Sequence, residues 1–205
     1  NITGLMTYND SDFENPDSTF YRGEDLYIKF QVIDHATGEY VCDDIVTSST
    51  LISNDGGGRK NMSKMTFDDR YCWYYYELEQ IPLTHDFIGD SNVFAFAFNL
   101  SSHTGGQAQV DLWILNNPPE ITPPINDITF YADESYQLDL SGHEFDLEDS
   151  GDDLDWEFQI DHTNCYIPEL QGKILTLTPN TYETCDEEIN LRLYDIDQDY
   201  DYQMV

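Results

Sequence analysis

Basic residues are scarce in this 205-residue chain: 8 Lys and Arg face 41 Asp and Glu, a formal net charge of −33 at pH 7. Binding to a phosphate backbone would work against that field, which excludes nucleic acid as a partner. Long apolar runs are missing as well. The longest, Val93 to Phe98, is too short to span a bilayer, so these residues hold no segment for direct membrane insertion. No basic stretch followed by an apolar one stands at the start; a signal peptide is expected to have been removed or to lie outside these residues, and any anchor to lie beyond residue 205.

Catalytic patterns are absent too. His35, His85, His103, His143 and His162 are scattered without metal-ligand spacing and read as surface residues. Carboxylate pairs of the kind a glycosidase needs crowd into turns with no groove scaffold. Gly56-Gly57-Gly58-Arg59-Lys60 lacks the phosphate-loop pattern and reads as a hairpin tip. Enzyme activity is not expected.

What is present is a core. With 40% hydrophobic and 14% aromatic residues the chain is not disordered, and its length suits two domains of about 100 residues each. The boundary lies in Asn116-Asn117-Pro118-Pro119-Glu120-Ile121-Thr122-Pro123-Pro124, an extended, semi-stiff linker, giving domains 1–117 and 118–205. Acidity divides unevenly: 18 acids and 6 bases before residue 118, 23 acids and 2 bases after it.

The four cysteines fall two to each half, Cys42 with Cys72 and Cys165 with Cys185. An even count without Cys-x-x-Cys spacing favours intradomain disulfides over zinc or thiol chemistry, each worth roughly 3 kcal/mol through loop closure. Four N-glycosylation sequons, at Asn1, Asn9, Asn61 and Asn99, lie in the first half. Cysteines and sequons together point to an extracellular or cell-surface location.

No stretch shows a helical period. Leu26, Ile28, Phe30 and Val32 alternate with Tyr27, Lys29, Gln31 and Ile33, and Leu154, Trp156, Phe158 and Ile160 alternate with Asp153, Asp155, Glu157 and Gln159. Strands are expected near 2–8, 26–33, 40–52, 60–67, 71–79, 93–100 and 107–115. In the second half they are expected near 127–132, 135–140, 153–160, 164–168, 173–178, 187–194 and 200–205. Turns fall at Asn54 to Gly58 and at His103-Thr104-Gly105-Gly106. About seven short strands per half predict an all-β chain of two tandem immunoglobulin-like β-sandwiches.

The stretch from Asn116 to Phe158, with its proline linker, Leu138-Asp139-Leu140-Ser141, and then Phe145, Asp146, Glu148, Asp152, Leu154 and Trp156, resembles the opening of Ig-like and cadherin-like repeats of large prokaryotic, especially archaeal, surface proteins. The segment RGEDLYIKFQVIDHATGEYVCDDIVTSSTL is similar in pattern to macroglobulin-like and bacterial Ig-like domains. These resemblances imply a structural or adhesive surface protein, part of a surface layer, filament or adhesin. Its partners would be copies of itself, other surface subunits, or glycans. The cadherin-like pattern implies Ca2+ stiffening an interdomain joint.

The acidic clusters carry the sharpest expectation. Asp195, Asp197, Asp199 and Asp201 occupy every second position, so extended backbone would put them on one face about 7 Å apart, each pair repelling by about 0.6 kcal/mol even in water. Either a turn splays them into solvent or a cation sits among them. On a sandwich with strands A to G they fill the F–G connection, while Asp146, Glu148, Asp149, Asp152 and Asp153 fill B–C. Both lie at the pole where the linker arrives, and Asp10, Asp12, Glu14 and Asp17 would be offered from the first domain. Ca2+ takes six to eight oxygens at about 2.3–2.6 Å, which loop carboxylates supply. The spacing is not an EF-hand, because Tyr200 stands where the turn glycine belongs. An acidic solvated turn and a surface adapted to high salt remain open beside Ca2+.

A second candidate is the run from Tyr71 to Tyr76. If Cys72, Tyr74 and Tyr76 point inward, then Tyr71, Trp73 and Tyr75 line an outer face that could stack on sugar rings, as in a carbohydrate-binding accessory module. A covering layer over that face, or Trp73 in the core, is the alternative. The last strand ends still in pattern, leaving an edge for strand addition by another chain.

Overall fold

Alternation becomes burial in β3 (Leu26–Val32), where Leu26, Ile28, Phe30 and Val32 are all sealed from solvent. The computed structural model describes residues 1–42, 45–54, 57–68, 70–102, 104–160, 165–180 and 184–205, with backbone only at 66 and 67. His103, His162 and Gly56 of the expected hairpin tip lie outside the described residues. All regular structure among the described residues is β, apart from three single 3₁₀ turns. The chain divides into two units, Asn1–Asn116 and Asn117–Val205.

In the first unit β3 lies antiparallel between β1 (Ile2–Tyr8) and β7 (Trp73–Leu78), and β6 (Ser63–Asp68) extends the sheet beyond β7. The facing sheet runs β2 (Thr19–Tyr21), β9 (Thr104–Leu115), β8 (Gly89–Asn99), β4 (Ile45–Ser53), β5 (Arg59–Asn61). All its pairings are antiparallel except that of β2 with β9. Phe20, Ile28, Phe30, Leu51, Tyr74, Tyr76, Val93 and Ile114 fill the space between, the interdigitated core of an immunoglobulin-like sandwich.

The second unit pairs β11 (Tyr136–Asp139), β15 (Ile174–Pro179) and β14 (Tyr166–Gln171) in one sheet, and β13 (Asp155–Gln159), β16 (Asn190–Tyr194) and β17 (Tyr200–Met204) in the other. This is the B-E-D and C-F-G arrangement of a seven-strand sandwich, with β10 (Glu120–Ile121) against β12 (Glu144–Phe145) as a short strand A contact. Leu140, Trp156, Leu175, Leu177, Leu191 and Leu193 form its core. Disulfides join Cys42 to Cys72 and Cys165 to Cys185, with Cα atoms 5.1 and 5.5 Å apart.

Several strand expectations need correction. Residues 127–132 form no strand: Ile128 and Phe130 do pack on the core, and Phe130 stacks on Tyr136 at 5.9 Å, but their backbone pairs with no sheet edge. The 60–67 strand is two strands in different sheets. At buried Met62 the chain crosses over, β5 pairing with β4 and β6 with β7. Of the expected 40–52 strand, the described part is β4, Ile45–Ser53, and Gly105-Gly106 sits inside β9 rather than in a turn.

The edge of β17 is not bare. Asp201 Oδ2 accepts the Ile121 N–H at 2.8 Å, while Gln203 accepts from Ile125 N–H at 2.9 Å and donates to its carbonyl at 2.6 Å. Side chains thus hold the chain's own 121–125 segment along the edge that looked open for strand addition.

Candidate functional site

The B–C connection enters from β12 and is shaped by Asp146, whose Oδ1 accepts the backbone N–H groups of Glu148 (2.7 Å) and Asp149 (2.8 Å). That Asx turn folds the acidic segment back on itself instead of letting it extend. The F–G connection is a tight loop between β16 and β17. Asp195 N–H donates to the Asp199 carbonyl at 3.1 Å and Asp195 Oδ1 accepts the Asp199 N–H at 2.9 Å, with Gln198 at φ 71°. The four aspartates therefore do not share one extended face. Asp195 is 2% exposed, Asp197 and Asp199 face solvent, and Asp201 is spent on the linker.

The two loops meet. Carboxylate oxygens of Asp146, Asp149 and Asp195 lie within 4.8 Å of one another, and Asp149 and Asp195 are both buried. At that separation each pair of charges repels by about 3 kcal/mol at an effective dielectric of 20. Asp146 Oδ2 is also shielded from solvent and accepts no hydrogen bond among the described residues. A cation relieves both problems. Three hard carboxylates with no nitrogen or sulfur donor suit Ca2+, with backbone oxygens or water completing the shell.

Other expected ligands lie outside this trio. Glu148 accepts the Asn117 amide at 2.5 Å, tying the linker's first residue in this unit to the B–C loop. Asp152 and Asp153 are exposed in a 3₁₀ turn. A cation of the chain also fastens the loop: Lys173 donates to Glu144 Oε2 at 2.6 Å and to the Gly151 carbonyl at 2.5 Å, straddling the acidic segment. Within the first unit, Asp10 and Asp17 are engaged in local turns, Asp10 accepting from Asp12 N–H and Asp17 from Ser18 and Thr19 N–H.

The aromatic run is placed differently from an open ladder. Cys72, Tyr74 and Tyr76 are buried, and on the other side only Tyr71 is broadly exposed, at 53%. Phe13 packs on Tyr75 at 4.8 Å, and burial pushes the Tyr75 phenol pKa up. Trp73 lies over Gly4, whose φ of 63° sits at the bulge in β1; a Cβ there would meet the indole at 3.2 Å. Lys29 closes the cluster, donating to the Phe13 carbonyl at 3.0 Å with its ammonium 4.7 Å from the Tyr8 ring centre and 5.5 Å from Trp73. The loop between β1 and β2 is a covering layer over Tyr75, and of Tyr71, Trp73 and Tyr75 it is Tyr71 that stays broadly exposed.

Sequence reasoning missed Lys29 in this role, and it missed Arg22. Arg22 is 1% exposed, its guanidinium donating to the Leu83 carbonyl at 3.2 Å and to the Asn116 side chain. His35 and His85 are exposed and His143 is half-buried, its Nδ1 2.5 Å from the Pro123 carbonyl. Of the sequons, Asn9 donates its amide to Asp17 at 3.4 Å and Asn99 accepts from Ser101 and Ser102 N–H in a turn. Asn1 is exposed at the start of the chain, where its ammonium donates to the Ile33 carbonyl at 2.7 Å, and Asn61 lies on edge strand β5.

No family model matches this sequence, and no curated protein sequence matches it. Among solved structures, a DUF4785 family protein from Legionella pneumophila is 10% identical over 92% of this chain and 54% of its own, with a TM-score of 0.41. The adhesin InvE of Yersinia pseudotuberculosis is 11% identical over 100% and 58%, with a TM-score of 0.41. The human desmocollin-1 ectodomain is 14% identical over 92% and 38%, with a TM-score of 0.34. The chain spans little more than half of the first of these, and at such values the likeness says nothing about ligand or activity.

Proposed function

We infer that this chain is a non-catalytic structural or adhesive element of a prokaryotic cell surface, a subunit of a surface layer or filament or a segment of a long adhesin. Ca2+ bound by the B–C and F–G loops stiffens it where the proline linker enters the second unit. The observation that carries this reading is the convergence of Asp146, Asp149 and Asp195, two of them buried, from loops separated by some fifty residues. Two intraunit disulfides and four sequons support the extracellular setting. Its partners are copies of itself or other surface subunits.

Thermal unfolding in millimolar CaCl2 against NaCl at matched ionic strength tests the site. Specific binding to the folded state stabilises by mass action, about 2.7 kcal/mol at one hundred times Kd, and Asp195→Asn should abolish the difference between the salts. Equal shifts in the two salts would sink the Ca2+ assignment and support diffuse adaptation to high salt.

A further inference from the structure

The outward face of β8 carries Phe94, Phe96 and Phe98, because Val93, Ala95 and Ala97 point into the core. Register places Thr50, Ser48 and Val46 of β4 opposite them on one side. On the other side stand Gln109, Gln107 and Gly105 of β9. None of these nine residues ionises, in a chain with 41 acids; charge returns in the next row, at Asp111 on one side and Arg59 on the other. The Phe94 and Phe96 rings stack 6.3 Å apart and Phe98 is 43% exposed. A shallow depression of about 440 Å³ opens between Val46, Phe96, Phe98 and Gln107, floored by Gly105 and Gly106.

Asn61 extends the first row of this face. Backbone register pairs Asn61 with Thr50 and Thr50 with Phe94, so all three side chains project from the same side of the sheet. The Thr50 hydroxyl donates to Asn61 Oδ1 at 3.1 Å. That bond leaves Asn61 Nδ2, the atom a sequon offers for glycosylation, without a hydrogen-bond partner among the described residues. The sequon Asn61-Met62-Ser63 spans the point where the chain leaves the sheet, and both Asn61 and Ser63 are exposed. Asn99, by contrast, follows Phe98 directly and so stands on the opposite face of β8.

We propose that Asn61 carries an N-linked glycan whose first sugars pass above the buried Thr50 and stack on Phe94 and Phe96, so that the chain's own carbohydrate covers this face. Attachment joins Nδ2 to the anomeric carbon of a polyprenyl-phosphate-linked oligosaccharide as that carbon's bond to the phosphate oxygen breaks, and the amide gives one proton to base. Asn61 and Phe94 lie two strand spacings apart, about 10 Å, which a short glycan core spans. The apolar C–H face of a pyranose meets the electron-rich ring face of phenylalanine, while Gln107, Gln109 and Ser48 offer amides and a hydroxyl to its rim. A neutral sugar meets no repulsion here, whereas a second copy would bring another −33.

The inference rests on the extracellular reading above. The test uses the full chain secreted from an N-glycosylating cell line. Glycopeptide mass spectrometry should find Asn61 modified. Binding of the apolar dye ANS should rise about threefold in Ser63→Ala and in wild type trimmed to the first sugar, and fall back when Phe96→Ser is added. Asn61 bare while Asn1, Asn9 or Asn99 is occupied would overturn the proposal alone, as would equal dye binding by wild type and Ser63→Ala. All four sequons bare would overturn it together with the extracellular glycoprotein reading.

Discussion

Glu144→Ala should destabilise the second unit by about 3 kcal/mol. The Glu144 side chain is 8% exposed and accepts two hydrogen bonds, from Trp156 Nε1–H at 2.7 Å and from Lys173 Nζ at 2.6 Å. Truncation strands the indole N–H of a core tryptophan, worth about 1–3 kcal/mol. It also removes the counter-charge of Lys173. Breaking a fully buried pair costs about 3–5 kcal/mol, but Lys173 is 22% exposed and recovers part of that from water. With a urea slope near 1.5 kcal/mol/M, the midpoint should fall by about 2 M.

Each of the three tryptophans gives one indole N–H resonance, so a urea titration followed by NMR at the Trp156 signal reads this unit alone. Glu144→Gln keeps an acceptor for Trp156 and loses only the charge, so it should cost about half as much. Because Lys173 also holds the Gly151 carbonyl, Glu144→Ala should weaken Ca2+-dependent stabilisation as well. A stability unchanged within about 0.5 kcal/mol, or equal losses for the two variants, would refute the reasoning.

Burial, then the nearby carboxylates of Asp25 and Glu77, push the Tyr27 phenol up to about 12. In the unfolded chain this phenol ionises near the ordinary value of about 10, so stability should fall as pH rises from about 10 to 12. Tyr27→Phe should flatten that decline, and ultraviolet titration should show one late-ionising tyrosine fewer in the variant than in wild type; identical titration curves for the two proteins would count against it. Gly58→Ala should destabilise the first unit by about 2 kcal/mol through overpacking, because its Cβ would sit 2.6 Å from the ring of Phe87, which is 4% exposed. Calorimetry should show a Tm lower by about 8 °C, with partial recovery on adding Phe87→Leu; an unchanged Tm would show that the ring gives way.

Much of the fold was readable because a half-buried strand writes its two faces into alternate residues, as in Leu26 to Val32 and Leu154 to Ile160. The same signal misled at 127–132. Ile128 and Phe130 do turn toward the core, but alternation reports side-chain burial, and a strand also needs an edge to pair with. Residues Thr19–Tyr21 are too few to show a period, and their parallel pairing with β9 depends on a partner ninety-odd residues away. The crossover at Met62 left no local mark, since both halves of that segment are extended. For the aromatic run, parity alone placed Tyr74 and Tyr76 on the buried side. That Phe13 and Lys29 cover the other side depends on a loop some sixty residues upstream.

The sequence by itself determined the all-β class, the acidity of the second half and the two loops in which its carboxylates gather, because period, turn formers and charge are local properties. Tertiary structure decided which carboxylates meet. Asp195 turned inward to close its loop, Asp201 was taken by the Ile121 amide, and only Asp146 and Asp149 came across from the other connection. It likewise decided which aromatic face stayed open, β8 rather than β7. Contacts between residues distant in sequence are set by how the two sheets stack and where the loops fall, and no single stretch of chain carries that information.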